Sequence, residues 1–411
     1  MKNPAKRLKE FLHIDRSMTG ILSMVILIGM GEHMAERFLP LYLQMLVEGA
    51  TAAVAIGLLA GMDDLLSALY SFPGGYLSDR FGAKRSLLIF NLISMAGYLI
   101  VIFIHTWWAV LLGAAFFISW SAISLPATME LVARIVPKSR RAMGVSMHSL
   151  IRRVPKMLGP VLGGTFIMVW GVDRGVRFAF AAALALAVLA MILQQKLIED
   201  DPDRPTGAHA EKNPFALLKI MSPDLRNLLI SDILIRFCER IPDAFVVIWV
   251  TREITANVSE FTFGWLSAIE NLTALLIYIP VAYMADRFGK KPFVAITFGF
   301  FTLFPLFLMG SQSLFWLVPA FIIRGLKEFG EPTRKALIMD LAPEGRKAAM
   351  FGVYYLVRDV IVSIAAFGGA GLWIIGPKVN LMTAFLFGLI GTVWFIINGR
   401  DLPSLQAQGS R

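Results

Sequence analysis

Gly75-Tyr-Leu-Ser-Asp-Arg-Phe-Gly-Ala-Lys-Arg85 returns 207 residues later as Ala282-Tyr-Met-Ala-Asp-Arg-Phe-Gly-Lys-Lys-Pro292, each copy directly after a long apolar stretch. A polar, Gly-containing segment repeated at that distance divides the chain into two similar halves. The stretches that precede it are long enough to cross a bilayer, so the halves are read as membranous.

Composition supports that reading, because 57% hydrophobic residues is more than a soluble core would hide. Successive apolar stretches of about 20 residues place spans at 17–47, 51–77, 86–104, 108–133, 142–170 and 175–195. The second half gives 227–250, 259–285, 292–310, 314–341, 348–374 and 379–399. The expected fold class is therefore all-α integral membrane, with twelve transmembrane helices in two pseudo-symmetric six-helix bundles. The expected domains are an N-terminal bundle over 1–196, a cytoplasmic linker over 197–226 and a C-terminal bundle over 227–411. A transmembrane β-barrel would show short alternating segments instead of continuous apolar runs.

The Lys and Arg outside the spans lie mostly on one side: in residues 1–16, around Arg80, Lys84 and Arg85, at Arg134 to Arg141, in the linker, at Arg287, Lys290 and Lys291, and near the C-terminus. The opposite loops hold only Arg174, Arg177, Arg252 and Lys378. By the positive-inside rule both termini and both repeated loops are cytoplasmic, and a bacterial inner membrane is the expected location. The formal charge of +10 is largely this topological bias and gives no warrant for nucleic-acid binding. Cys238, the single cysteine, allows no intrachain disulfide and reads as a small buried packing residue.

The repeat extends beyond the loop. At the offset of 207, Glu32 pairs with Glu239, His33 with Arg240, Glu36 with Asp243, Asp63 with Glu270, and Asp79 with Asp286; at 206, Arg152 pairs with Arg358 and Arg153 with Asp359. An even number of spans per copy keeps both in one orientation. The loop pattern Gly75-x-Leu77-x-Asp79-Arg80-x-Gly82-x-Lys84-Arg85 resembles the signature loop of the major facilitator superfamily, and the helix count, linker and degenerate second loop resemble it too. The resemblance covers essentially the whole chain. It implies alternating access by two halves and a cytoplasmic gate latch made of Gly75, Asp79, Arg80, Gly82, Lys84 and Arg85 with Asp286, Arg287 and Gly289. It also implies a monomer as the functional unit. It does not choose a substrate, because that superfamily carries sugars, drugs, peptides, organic anions and lipids on one architecture. The alternative for the loop itself is a topogenic basic segment.

Charge inside the spans is dense. The bases are Arg37, Arg152, Arg153, Lys156, Arg236, Arg240, Arg324, Lys327, Arg334, Lys335 and Arg358, and they are accompanied by Glu32, Glu36, Asp63, Asp64, Glu130, Asp232, Glu239, Asp243, Glu270, Glu328, Glu331 and Asp359. Exposing those bases to lipid would cost on the order of 30 kcal/mol, beyond the roughly 5–15 kcal/mol that stabilises a domain. They must face water, one another or a substrate. Arg236, Glu239, Arg240 and Asp243 form one helical stripe, and Arg324, Lys327, Glu328 and Glu331 form another at matching spacing. Internal ion-pair networks account for many of these positions. Beyond that, Arg152, Arg358, Arg236, Arg240, Arg324 and Lys327 are substrate-binding candidates, since guanidinium forks grip anionic or polar groups. Asp63 and Glu270, expected among apolar neighbours, are proton-coupling candidates together with Glu32, Glu36, Glu239, Asp243 and the adjacent His33.

Gly159-Pro160-Val-Leu-Gly163-Gly164 resembles the GPxxGG element of the superfamily's antiporter motif, although Pro155 stands where that motif usually has Gly. A plain helix-packing patch is the alternative. No P-loop, dinucleotide Gly fingerprint or His/Cys cluster at metal-ligand spacing is present, so an enzyme, a metal and a cofactor are not expected, and the energy source should be an ion gradient, most simply protons. The leading expectation is a secondary transporter that exports a small organic or amphipathic compound by proton antiport. The alternatives are an organic-anion symporter or exchanger using Arg152 and Arg358, and a membrane sensor without flux. The expected partners are a small-molecule substrate and the lipid bilayer.

Overall fold

In the computed structural model, residues 16–118, 120, 124, 128, 151–198, 218–343 and 347–400 are described, and among them every regular element is helical. The expected spans that lie within these residues each contain a helix. They are α1 Arg16–Glu36, α2 Leu39–Leu46, α3 Gly49–Phe81, α4 Ala83–Phe103, α5 Trp107–Phe117 and α6 Arg153–Leu197, then α7 Pro223–Asp243, α8 Val246–Ile248, α9 Glu260–Phe288, α10 Lys291–Gly310, α11 Leu314–Leu326, α12 Glu331–Leu341, α13 Lys347–Ile375 and α14 Pro377–Asn398. The second part of the fourth span, the start of the fifth, the N-terminal 15 residues and most of the linker lie outside the described residues.

Some spans expected as single helices are interrupted. The 45-residue α6 would measure about 68 Å if straight, over twice the hydrocarbon thickness. It holds the fifth and sixth expected spans as two passes, joined in the expected gap at Gly171, whose φ of 75° and ψ of 173° end the first helix; the first, seventh and tenth spans are the interrupted ones. The first span breaks at Arg37–Phe38, where the N–H of Phe38 bonds back only three residues to Ala35 (3.0 Å). The seventh breaks at the equivalent place, Phe245 bonding back to Pro242 (2.8 Å), and ends in a π-helical turn over Trp249–Glu253. Phe38 and Phe245 are both buried at these breaks. The tenth span is two helices, α11 and α12. Gly330 lies between them because its N–H donates to Thr297 Oγ1 on α10 at 2.5 Å, and a Cβ there would meet that same oxygen at 2.5 Å.

The chain divides into two compact units: Met1–Val47 with Leu66–Ala208, and Glu48–Leu65 with His209–Arg411. The first half of α3 thus belongs with the second unit. In the first unit α1 packs on α6 through small residues; a Cβ on Gly163 would sit 1.9 Å from the carbonyl oxygen of Met34, and one on Gly159 would be 2.8 Å from His33. Ile21, Met24, Val25, Ile28, Leu87, Phe90, Trp120 and Ala190 fill the core beside this seam. A buried relay crosses it: Trp120 Nε1 donates to Asn91 Oδ1, Asn91 Nδ2 to Gln194 Oε1, and Gln194 Nε2 to the Lys84 carbonyl, each at 2.8 Å.

In the second unit α7 starts at Pro223 with Ser222 as its cap, the serine oxygen accepting from Leu225 N at 3.2 Å. Gly369 of α13 takes the part of Gly163: a Cβ on it would lie 2.4 Å from the carbonyl oxygen of Ile241. Ile241 is 207 residues beyond Met34, so the repeat read in the sequence is also a repeat of close backbone approach. Cys238 is fully buried, its thiol 3.3 Å from the Phe301 carbonyl.

Six helices are long and apolar enough by composition to span a membrane among the described residues, in the ranges Gly49–Ser67, Lys84–Phe103, Arg153–Leu197, Lys291–Gly310, Met350–Ile375 and Pro377–Asn398. α7, α11 and α12 are outside that set, and these helices carry the charges described next.

Candidate functional site

Within the second unit, α7 faces α11 and α12 through a ladder of ion pairs. Asp232, Arg236, Glu239 and Asp243 are spaced by four, three and four residues and keep to one face of α7, while Arg324, Lys327, Glu331 and Arg334 come from α11, the turn after it and α12. At one end Arg324 Nη2 donates to Asp243. Lys327 Nζ then donates to Glu239 Oε1 at 2.7 Å, Arg236 Nη2 lies 3.4 Å from Glu331 Oε2, and at the other end Arg334 Nη1 donates to Asp232. Arg236 also donates to Glu239 (2.6 Å), and Arg334 to Glu331 (2.7 Å), which couples neighbouring rungs. Burial makes the pairing mandatory: Asp232 and Arg334 are each 1% exposed and Arg324 2%, and an unpaired charge there would forfeit its solvation without compensation.

Further charges join the ladder from the side. Glu270 of α9 lies 3.4 Å from Arg324 Nε and 3.6 Å from Lys327 Nζ. Arg240 turns out of the ladder: Nη2 is 2.5 Å from Asp64 and 3.7 Å from Asp63 on the first half of α3, while Nη1 is 3.4 Å from Asp243. Asp63 and Glu270, expected among apolar neighbours, are each beside cations instead. Helical periodicity reports which face a residue takes and carries no information about what a second helix brings to it. Arg358 Nη2 is held by Asp359 at 2.6 Å, Nη1 lies 3.5 Å from Asp232, and the guanidinium covers the Tyr355 ring at 4.1 Å. Tyr354 donates to Asp232 Oδ2 at 3.0 Å.

The expected stripe on the tenth span needs a correction. Lys327 and Glu328 lie in the turn between α11 and α12 and not on a continuous helix. The turn nevertheless leaves Arg324, Lys327 and Glu331 toward α7.

The first unit is built differently. His33 Nδ1 and Glu36 Oε2 are 2.6 Å apart, Glu32 beside them is buried, and Arg37 occupies the break after α1. Arg152 stands at the start of α6, and Glu32 is the carboxylate whose charge reaches it. Gly159 and Gly163 of the antiporter-like element set α6 directly on His33 and Met34, with Pro160 buried between them; Gly164 is buried too. The element is thus a seam against α1 that carries the His33–Glu36 pair.

At the two copies of the repeated loop, Gly82 has φ 83°, ψ 153° and Gly289 φ 87°, ψ 161°. This backbone region is open to glycine and strained for other residues, so the same tight turn is present twice. Arg80 lies over the Phe81 ring (5.4 Å), Arg85 is exposed, and the backbone of Lys84 anchors Gln194. The side chains of Asp79, Asp286 and Arg287, and the surroundings of Gly75, lie outside the described residues. In the second copy Lys290 pairs with Asp340.

Between α7, α10 and α11 a small cleft is lined by Glu239, Asp243, Phe301, Phe304, Arg324 and Lys327. Arg324 lies over Phe304 (5.1 Å) and Phe321 (5.8 Å), and Lys327 over Phe301 (5.9 Å). Asp232, Glu331, Arg334, Tyr354 and the two phenylalanines were not singled out as site residues by sequence reasoning. Asp232 was reachable, because it extends the α7 stripe by four residues from Arg236. The phenylalanines carried no signal among the 31 in the chain. Among the described residues no group of three or more His, Cys, Asp or Glu is arranged to hold a metal ion.

The sequence matches the family model of the Major Facilitator Superfamily over residues 17–251 and 228–410. Among characterised sequences it is similar to Multidrug resistance protein MdtH of Salmonella paratyphi B, 22% identical over 356 residues covering 85% of each chain, and to its counterpart in Salmonella choleraesuis at 21%. Among solved structures it shares its fold with a peptide transporter POT in complex with sulfate (TM-score 0.77, 15% identity, 93% of each chain). A mutant of the nucleoside transporter NupG is also similar (TM-score 0.76, 12% identity, 93% of this chain and 100% of that one).

Proposed function

Because this chain belongs to the Major Facilitator Superfamily and is a multi-pass membrane transporter, we propose that it works by alternating access as a proton-coupled exporter of small organic or amphipathic compounds. The observation that carries the coupling is the ladder between α7 and α11–α12. Glu239 is shared by Arg236 and Lys327, and Asp243 by Arg324 and Arg240. One proton on either carboxylate releases a cation from its partner and changes what that face can bind, which is the differential interaction that a coupled transporter requires. Asp63 and Glu270 contact Arg240, Arg324 and Lys327 of the same network, and Glu32, Glu36 and His33 are the corresponding carrier positions of the first unit. The name of the MdtH relatives supports export of drug-like compounds.

In this reading the repeated loops form the cytoplasmic latch, both termini are cytoplasmic, the membrane is a bacterial inner membrane, the monomer is the working unit, and no cofactor beyond the proton gradient takes part. The test is substrate-dependent proton movement in proteoliposomes. We expect wild type to show it and Asp63→Asn with Glu270→Gln to lose most of it. No proton movement in wild type, or unchanged transport in the double variant, would remove proton coupling through these carboxylates.

A further inference from the structure

Three carboxylates converge on one guanidinium at the side of the ladder. Arg240 Nη2 lies 2.5 Å from Asp64 Oδ1 and 3.7 Å from Asp63, and its Nη1 lies 3.4 Å from Asp243. The three are not equally placed. The side chains of Asp63 and Asp243 are 26% and 24% exposed, whereas that of Asp64 is 8% exposed, and no hydrogen-bond donor among the described residues reaches its Oδ2. Helix packing imposes that burial. Gly57, Gly61 and Asp64 are spaced by four and three residues on one face of α3, and that face is seated on α13: a Cβ on Gly57 would lie 2.5 Å from the Ala370 Cβ, and one on Gly61 2.5 Å from the Phe367 ring. Beyond Asp63 on its own helix, the charged groups facing Asp64 are Arg240, Glu239 and Asp243 of α7 and Asp359 of α13, so one cation stands against several like charges.

We propose that Asp64 is a proton site: a proton from water bonds to its Oδ2, and Arg240 passes to Asp63 and Asp243. A buried carboxylate oxygen without a donor is costly, and three kinds of partner could answer it: a metal ion, a cationic group or a proton. Among the described residues the carboxylates are not arranged to hold a metal ion. A cationic group would have to enter a face closed by Gly57 and Gly61 and compete with Arg240 for the same carboxylate. A proton requires no space and removes the charge that burial makes expensive. It also strands no cation, because Arg240 keeps Asp63 and Asp243 once Asp64 is neutral. Asp243 is the carboxylate of Arg324 as well, so a change at Asp64 reaches the ladder through Arg240. The inference deepens the coupling reading by adding a proton site that the sequence did not single out, and it rests on that reading for what the proton does in transport.

The experiment is infrared difference spectroscopy of the purified full chain in detergent, titrated from about pH 9 to about pH 4. A buried protonated carboxyl has a C=O band separate from that of hydrated carboxyls. The wild-type spectrum should show such a band growing on acidification; Asp64→Asn should lose it, Asp63→Asn should keep it, and Asp64→Glu should retain it at a displaced position. Arg240→Gln leaves Asp64 in place and should move the midpoint of the band upward by about 1–3 pH units, the reach of an adjacent opposite charge, so a folding failure of Asp64→Asn does not spare the proposal. No buried-carboxyl band in wild type, a band that survives Asp64→Asn, or a midpoint unmoved in Arg240→Gln would overturn it. These spectra read no flux. Proton-coupled flux without the band removes Asp64 and leaves coupling through the other carboxylates, whereas the band without proton-coupled flux leaves the proton site and removes the coupling reading.

Discussion

The two units share a set of backbone contacts and differ in what fills the space beside them. Gly163 against the Met34 carbonyl is matched by Gly369 against the Ile241 carbonyl, the break at Phe38 by the break at Phe245, and the turn at Gly82 by the turn at Gly289. At the ladder the correspondence is partial: Glu239 and Asp243 keep carboxylates at Glu32 and Glu36, but other rungs do not. Repeat positions place Val25 for Asp232, Gly29 for Arg236, Ile118 for Arg324 and Thr128 for Arg334. Val25, Ile118 and Thr128 are buried, so the first unit meets the same packing demand with apolar and small side chains. Close backbone approaches leave no room for a side chain and admit one solution. A cavity between helices admits two: well-packed apolar groups, or charges that satisfy one another. By the energetics of buried ion pairs, the charged solution is weak evidence for stability, which points to use.

The largest effect should come from breaking a rung at its most buried end. Asp232→Ala leaves Arg334 with Glu331 alone, and takes from Arg358 and Tyr354 the acceptor they share; unfolding of the purified protein should show a loss of about 3–5 kcal/mol. The comparison is sharpened by importing the first unit's residues, Asp232→Val with Arg334→Thr. This pair should recover at least half of that loss, and a double variant no better than the single would show that the two solutions are not interchangeable. Next, Gly163→Ala and Gly369→Ala should each cost about 1–3 kcal/mol, from forcing a methyl group into a closed seam. Gly163 should be the worse, because its Cβ would lie 1.9 Å from a carbonyl oxygen against 2.4 Å. Equal tolerance at both sites would mean that close approach does not hold either seam. A double-mutant cycle on Lys327→Met and Glu239→Gln should return a coupling of about 0.5–3 kcal/mol, and a value near zero would take this rung out of the ladder. The smallest effect is expected at Arg252→Ala. Its pair with Glu260 (2.7 Å) is 46% exposed on the arginine side, and such pairs contribute about 0–1 kcal/mol.

Much of this architecture was legible residue by residue. The apolar runs located the helices, and the repeated loop located the duplication. The interior charges announced themselves as well, since lipid would not tolerate them. Their assignments were less legible. Glu270 was read among apolar neighbours and lies beside Arg324 and Lys327. Arg240 was read in one stripe with Glu239 and Asp243 and reaches away to Asp64. The span through Arg324 and Glu331 was read as one helix and is two, because Gly330 is drawn onto Thr297, a residue more than 30 positions away.

The sequence by itself determined that the chain is a duplicated helical membrane protein whose charges must be sheltered, because span length, helical period and the cost of charge in hydrocarbon are properties of local segments. Only the tertiary structure decided that Asp232 answers Arg334, that Glu239 answers Lys327, and that Asp64 answers Arg240. Those outcomes depend on how one helix is rotated and registered against another. That is fixed by close contacts such as Gly369 on Ile241 and Gly330 on Thr297, which no local periodicity encodes.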